Sequence, residues 1–228
     1  MFIHRRGDSA VSYLIPQTSH AWLAWQVASH WGNRNFARPA PQAETLAAIL
    51  LHDSGWVEFE DDPGIDDGGR PRAFDKMPVD RHLEIWRSSV HRAAQYSRYS
   101  GLLVAWHFAA LADAKRARLI ESGEPEAAGL VENFAADVNG LCDQWRAELC
   151  GDPRYRMFLS DRGWAVNTQL IAASDVIALW LCASWPSPFT ATAAGPSGSE
   201  EPIRFEEIEP STWRVRPWPL QGDRLRMH

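Results

Sequence analysis

Six stretches of the chain repeat apolar side chains every three to four positions, the spacing that a helix buries on one side. The first follows Pro16, where Thr18 or Ser19 can cap a helix that runs to Trp31 and stops at Gly32-Asn33. His20, Ala24, Val27 and Trp31 share its face. The second opens after the Pro-rich joint 38–41, with proline suited to a first helical turn, and runs from Glu44 into His52-Asp53 just before Gly55. A third follows Pro78, with Leu83, Trp86, Val90 and Ala93 at core spacing. The fourth starts near Tyr99 and sets Leu103, His107 and Leu111 on one face. Leu130, Phe134, Leu141, Trp145 and Leu149 mark the fifth, from about Glu124 to Cys150. The sixth, from about Val166 to Cys182, aligns Ile171, Asp175, Ala178 and Cys182. The chain therefore reads as mainly α, a helical bundle.

At 228 residues it is long enough to bury a core as a single domain spanning 1–228, with a helical core over 16–186. Short strands are expected on either side, over 1–15 and 201–220. The first fifteen residues read as two extended pieces around the turn Arg6-Gly7-Asp8. Ile203/Phe205 and Trp213/Val215 alternate like two more strands, and pairing with the N-terminal hairpin would make a small antiparallel β element. Residues 190–200 (TATAAGPSGSE) read as a flexible joint. Residues 56–78 are rich in Asp, Gly and Pro; a loop of that length inside a compact domain is usually functional, and a lid over the site is expected.

The formal net charge of -6 and the scatter of the basic residues argue against nucleic acid, which needs a clustered positive surface. The apolar stretches are broken by His, Asp, Ser or Gln before bilayer length, so no membrane span is expected. The N-terminus carries no continuous apolar core of the secretory kind. Cys142, Cys150 and Cys182 lack the spacing of zinc or redox pairs and read as three buried thiols of a cytoplasmic protein. Most of the twelve tryptophans fall on helical faces and read as core, with Trp22, Trp56 and Trp106 as candidate walls of a pocket. Self-association as a homodimer is left open.

Polar residues on the core faces carry the chemistry. A buried carboxylate is costly unless it is paired or bound to a metal, and Asp53 and Asp175 both face that problem. Imidazole and carboxylate together suit a divalent transition metal ion (Mn, Fe, Co, Ni or Zn) without choosing among them. Alone, His52-Asp53 is equally an ordinary cap on the last carbonyls of a helix. His4 and His30 read as core or surface polar residues.

A His on a first helix, a His-Asp pair ending the next and an Asp on a late helix form an ordered set. That set resembles the HD superfamily of metal-dependent phosphohydrolases, whose pattern H…HD…D sits on a helical bundle. The resemblance implies an HD-domain-like fold with His20, His52, Asp53 and Asp175 as metal ligands. The segments HAWLAWQVASHWGN, LHDSGW, GLLVAWHFAAL, SDVIALWLC and RPWPL resemble, more closely, an uncharacterised bacterial domain family of unknown function, over about residues 3–225. In two-metal HD proteins further histidines complete a second site. His107 is the preferred fifth member here, with His82 and His91 competing for any remaining place. Where many HD phosphohydrolases continue as His-Asp-x-Gly-Lys, this chain has Trp56, which suits a flat or apolar substrate. Arg70, Arg72 or Lys76 in the loop are candidates to supply the missing positive charge.

The resemblance thus implies a metal-dependent hydrolase of a small phosphorylated compound, a phosphomonoester or phosphodiester, working through metal-activated water. Asp53 would orient the nucleophile and His107 would protonate the leaving group, with Glu58 a weaker candidate base. The alternatives are an HD-type di-iron oxygenase of a small molecule, which would need several extra histidines as ligands, and a non-catalytic small-ligand-binding protein.

Overall fold

The computed structural model describes residues 2–6, 12–62, 64–183 and 185–228. Gly7 and Asp8 of the expected N-terminal turn lie outside the described residues, as does the side chain of His4. Strands β1 (Phe2–Arg6) and β2 (Ser12–Pro16) pair antiparallel, with Phe2 opposite Pro16. Helices α1 (Gln17–Ser29) and α2 (Gln42–Leu51) follow, then a 3₁₀ turn at Ser54–Trp56 and the single turn α3 (Val57–Glu60). The long helices α4 (Val79–Tyr96), α5 (Arg98–Glu121), α6 (Pro125–Cys150) and α7 (Asp161–Ala183) complete the bundle. Strands β3 (Phe189–Ala194), β4 (Glu200–Glu209) and β5 (Thr212–Arg216) then form an antiparallel sheet in that order.

Helix α5 is the axis of the molecule. Its start is capped by Ser97, whose hydroxyl accepts the Ser100 amide at 3.0 Å. Leu102, Leu103, Val104 and Ala105 are buried in succession, so this stretch is covered on every side. Gly101 lets α4 and α6 close on it, for a Cβ there would stand 2.6 Å from the Ala94 methyl and 3.0 Å from the Trp145 ring. Pro125 opens α6 at a position where its missing N–H costs nothing. Asn167 braces α7 by donating to the Ala40 carbonyl and to the Tyr99 hydroxyl, which locks the joint before α2 to the bundle. Each large side chain buried in this way contributes about 1.5–3 kcal/mol, which is why packing dominates the stability of these helices.

Three expectations need correction. The N-terminal hairpin and the C-terminal strands do not share a sheet among the described residues; they form two separate sheets. The stretch read as a flexible joint over 190–200 is half strand: Phe189, Ala191 and Ala193 are buried and Thr190 and Thr192 exposed, a period of two carried by small residues. Phe189 stacks on Phe205 across the register at 4.7 Å. Of the three cysteines only Cys182 is buried, since Cys142 is half-buried and Cys150 exposed on the outer face of α6. Among the described residues one helix, α7, has the length and apolar content of a membrane span, and more than half of it is buried inside the molecule.

Candidate metal centre

Helices α1, α2, α5 and α7 each deliver a polar side chain to one buried point. Gln17 and His20, three residues apart, lie on the inner face of α1; His52-Asp53 ends α2; His107 comes from α5 and Asp175 from α7. His20, His52, Asp53 and His107 are all buried. The turn after the His-Asp pair fixes its direction. Gly55 donates its amide to the Ser89 hydroxyl at 2.9 Å, and a Cβ on it would stand 2.2 Å from the Ile85 carbonyl oxygen. Only glycine lets the end of α2 press so closely on α4.

The donor atoms converge. His20 Nε2 is 3.2 Å and His52 Nε2 3.5 Å from Asp175 Oδ1. Asp53 Oδ2 lies 3.1 Å from His20 Nδ1 and 3.4 Å from His52 Nε2. On the other side of Asp175, Oδ2 is 3.2 Å from His107 Nε2. One donor atom each from His20, His52 and Asp175 fall within 4.8 Å of one another, so these three could hold a metal ion. Two donors each about 2.1 Å from one ion stand about 3.0 Å apart at a right angle and about 3.4 Å apart in a tetrahedron, close to the separations seen here.

The hydrogen bonds of the histidines point the same way. His52 Nδ1–H donates to the Ile49 carbonyl at 2.7 Å, which turns Nε2 toward the cluster, where this buried atom has no hydrogen-bond partner. His107 Nε2 is also buried without one. Both lie at ion-pair distance from carboxylates but not in hydrogen-bonding directions. Burial opposes charge on His20, yet hydrogen bonds to Asp175 and Asp53 outweigh it and hold its pKa well above the ordinary value. Asp175 moves the opposite way: burial would raise its pKa, but His107, His20 and His52 hold it well below the carboxylate range. Burial opposes charge on His52 too, but Asp53 and Asp175 raise its pKa, so without an ion the cluster is a charged network and metal uptake must displace protons from His20 and His52.

The cluster lies in the wall of a cavity of about 670 Å³. Trp56, Trp86, Phe108 and Phe74 supply aromatic wall; His82, Lys115 and Arg118 also face it. Of the three tryptophans expected at a pocket, only Trp56 lines this one. Trp22 stacks on Trp25 at 4.6 Å and is 45% exposed, and Trp106 packs edge-on against Trp164. Ala73, Phe74 and Asp75, at the end of the expected lid, line the cavity, while its tip is an exposed turn where Arg70 pairs with Asp66 at 3.2 Å. Arg70, Arg72 and Lys76 are not part of the cavity wall. Glu58 pairs with Arg92 at 2.6 Å on the surface, which removes it as a base. His91 and His30 are exposed and stand outside the cluster.

Over residues 2–228 the chain matches a family described as a protein of unknown function, DUF3891. The chain belongs to the DUF3891 family. No curated protein and no solved structure matches it. Membership covers the whole described fold, but the chemistry of a DUF3891 site has to be derived from its residues. Sequence reasoning passed over three of them. Gln17 is buried in the cavity wall with Oε1 unpartnered, and its signal is the three-residue step to His20. Lys115 sits eight residues, two helical turns, beyond His107. Trp86, at core spacing in the sequence, also forms cavity wall.

Proposed function

We propose that this DUF3891 chain is a metal-dependent hydrolase of a small phosphorylated compound, built on an HD-type site. The observation that carries the reading is the convergence of His20, His52 and Asp175 donor atoms on one buried point beside a cavity, with His52 Nε2 buried there without a hydrogen-bond partner. His20, His52, Asp53 and Asp175 would hold a divalent transition metal. Bound there, such an ion lowers the pKa of a water and polarises a phosphoryl oxygen.

The protein's own groups do the rest. Asp53 holds the Nδ1–H of His20 and so aims its other nitrogen at the site, the carboxylate–histidine support common behind metal ligands. Asp53 also lies close enough to His52 Nε2 to act as fourth ligand and to orient the attacking water. His107, at the cavity wall with Nε2 3.2 Å from Asp175 Oδ2, is placed to give a proton to the departing oxygen. The aromatic walls exclude bulk water and favour a flat or apolar leaving group. The oxygenase alternative draws less support. It needs more histidine ligands, and of the described candidates His91 is on the surface while His82 is engaged by Lys115.

The test is phosphate release from a panel of phosphomonoesters, and nitrophenol release from bis(4-nitrophenyl) phosphate, with protein loaded with Mn, Co, Ni or Zn. Turnover that stops with chelator and in His107→Gln at unchanged metal content is expected. Dioxygen uptake by the iron-loaded protein with no ester hydrolysis would move the reading to the oxygenase.

A further inference from the structure

Lys115 is a cavity-wall cation with no carboxylate in direct contact among the described residues, though Glu124 and Asp75 lie near enough to act on its charge. It is half-buried in the cavity wall, and among the described residues no carboxylate lies within 4.0 Å of its ammonium. Its hydrogen-bond partner is neutral: the ammonium donates to His82 Nδ1 at 3.5 Å. His82 is itself fixed, edge-on to Trp56 at 5.2 Å and to Trp86 at 4.8 Å. Arg118, one turn on, adds a second positive charge to this end of the cavity. The nearby Asp75 is engaged with Lys76 at 3.4 Å. Burial, and then Arg118, keep the Lys115 pKa below the ordinary lysine value, outweighing the opposing pull of Glu124 and Asp75.

The position along α5 gives the arrangement its meaning. His107, Leu111 and Lys115 recur every four residues on the cavity side, so Lys115 stands about 12 Å along the axis from His107. Between them the wall is apolar: Leu111, Phe108, and Trp86 stacked on Phe108 at 4.9 Å. One end of the cavity therefore carries the metal-type cluster, the middle is greasy, and the far end holds two cations, Lys115 and Arg118, against the one carboxylate of Asp75.

We propose that Lys115, positioned by His82 and backed by Arg118, binds a second acidic group of the substrate, so that the compound turned over carries an anionic group on either side of an apolar or aromatic spacer. This rests on the hydrolase reading for the other end of the compound. A carboxylate and a phosphate are the two forms of that second group, and the probes separate them.

Affinities of the metal-loaded protein for phenyl phosphate, 4-carboxyphenyl phosphate and 1,4-phenylene bisphosphate would be measured by calorimetry, with metal content determined on the same samples. Wild type is expected to bind one of the two doubly anionic probes about tenfold more tightly than phenyl phosphate, or about 1.4 kcal/mol. Lys115→Gln should erase that preference while keeping its metal, and Lys115→Arg should restore part of it. Equal affinity for all three probes, no binding of any of them, or a preference that survives in Lys115→Gln overturns the proposal. Failure of the hydrolase reading looks different: no metal on the wild type, with the Lys115-dependent preference for a doubly anionic probe still present.

Discussion

The Nδ1–H of His52 goes to the Ile49 carbonyl, and this local bond turns Nε2 toward the cluster. The His-Asp pair at the end of an apolar run was legible in the sequence, as were His20, His107 and Asp175, because each occupies a core position in a helical repeat. The cation at the far end was not legible, since it depends on which helices meet. His82 makes the point. It lies on the inner face of α4, and burial with the Lys115 charge nearby pushes its pKa down to about 3. Unfolded, it titrates near 6.5. Between these values the unfolded chain binds the extra proton, so the stability is complete above about pH 6.5 and falls as pH drops toward 3, by at most about 1.4 kcal/mol per unit. In chelated protein, His82→Phe should therefore flatten the pH dependence of urea unfolding between pH 6.5 and 4. Parallel curves for variant and wild type would show that His82 is protonated in the native state.

At the scale of elements, helical periodicity located all six long helices, because each buries a stripe of large side chains. It missed β3 because alternating Ala and Thr give little contrast in hydrophobicity, so that the strand is recognised only by its pairing with β4. Gly55 is legible in the sequence as a stop for α2, but not as the residue that lets the end of that helix press on α4. Gly55→Ala places a methyl against the Ile85 carbonyl, and overpacking of that kind costs about 1–3 kcal/mol. The variant should lower the urea midpoint and also weaken metal uptake, since the clash displaces the turn that carries Asp53. An unchanged midpoint with full metal content would mean that the contact relaxes without moving the site.

The whole molecule is a helical bundle whose buried polar side chains, from four different helices, meet at one end of a cavity. Its overall class followed from the sequence because it depends on spacing within segments. The separation of the two sheets did not, because it depends on the path between segments: the hairpin packs Ile3 against Cys182 and Ala183, whereas β3 packs its inner face on the main core. The central claim is that the meeting point binds a metal ion. The direct measurement is elemental mass spectrometry of protein prepared without chelator, beside His52→Ala and Asp175→Ala. The account predicts near-stoichiometric Mn, Fe, Co, Ni or Zn on the wild type and its loss from both variants. A wild type that carries no metal, and takes up none when titrated with these ions, would contradict it: the histidines and aspartates would then be a buried hydrogen-bonded network.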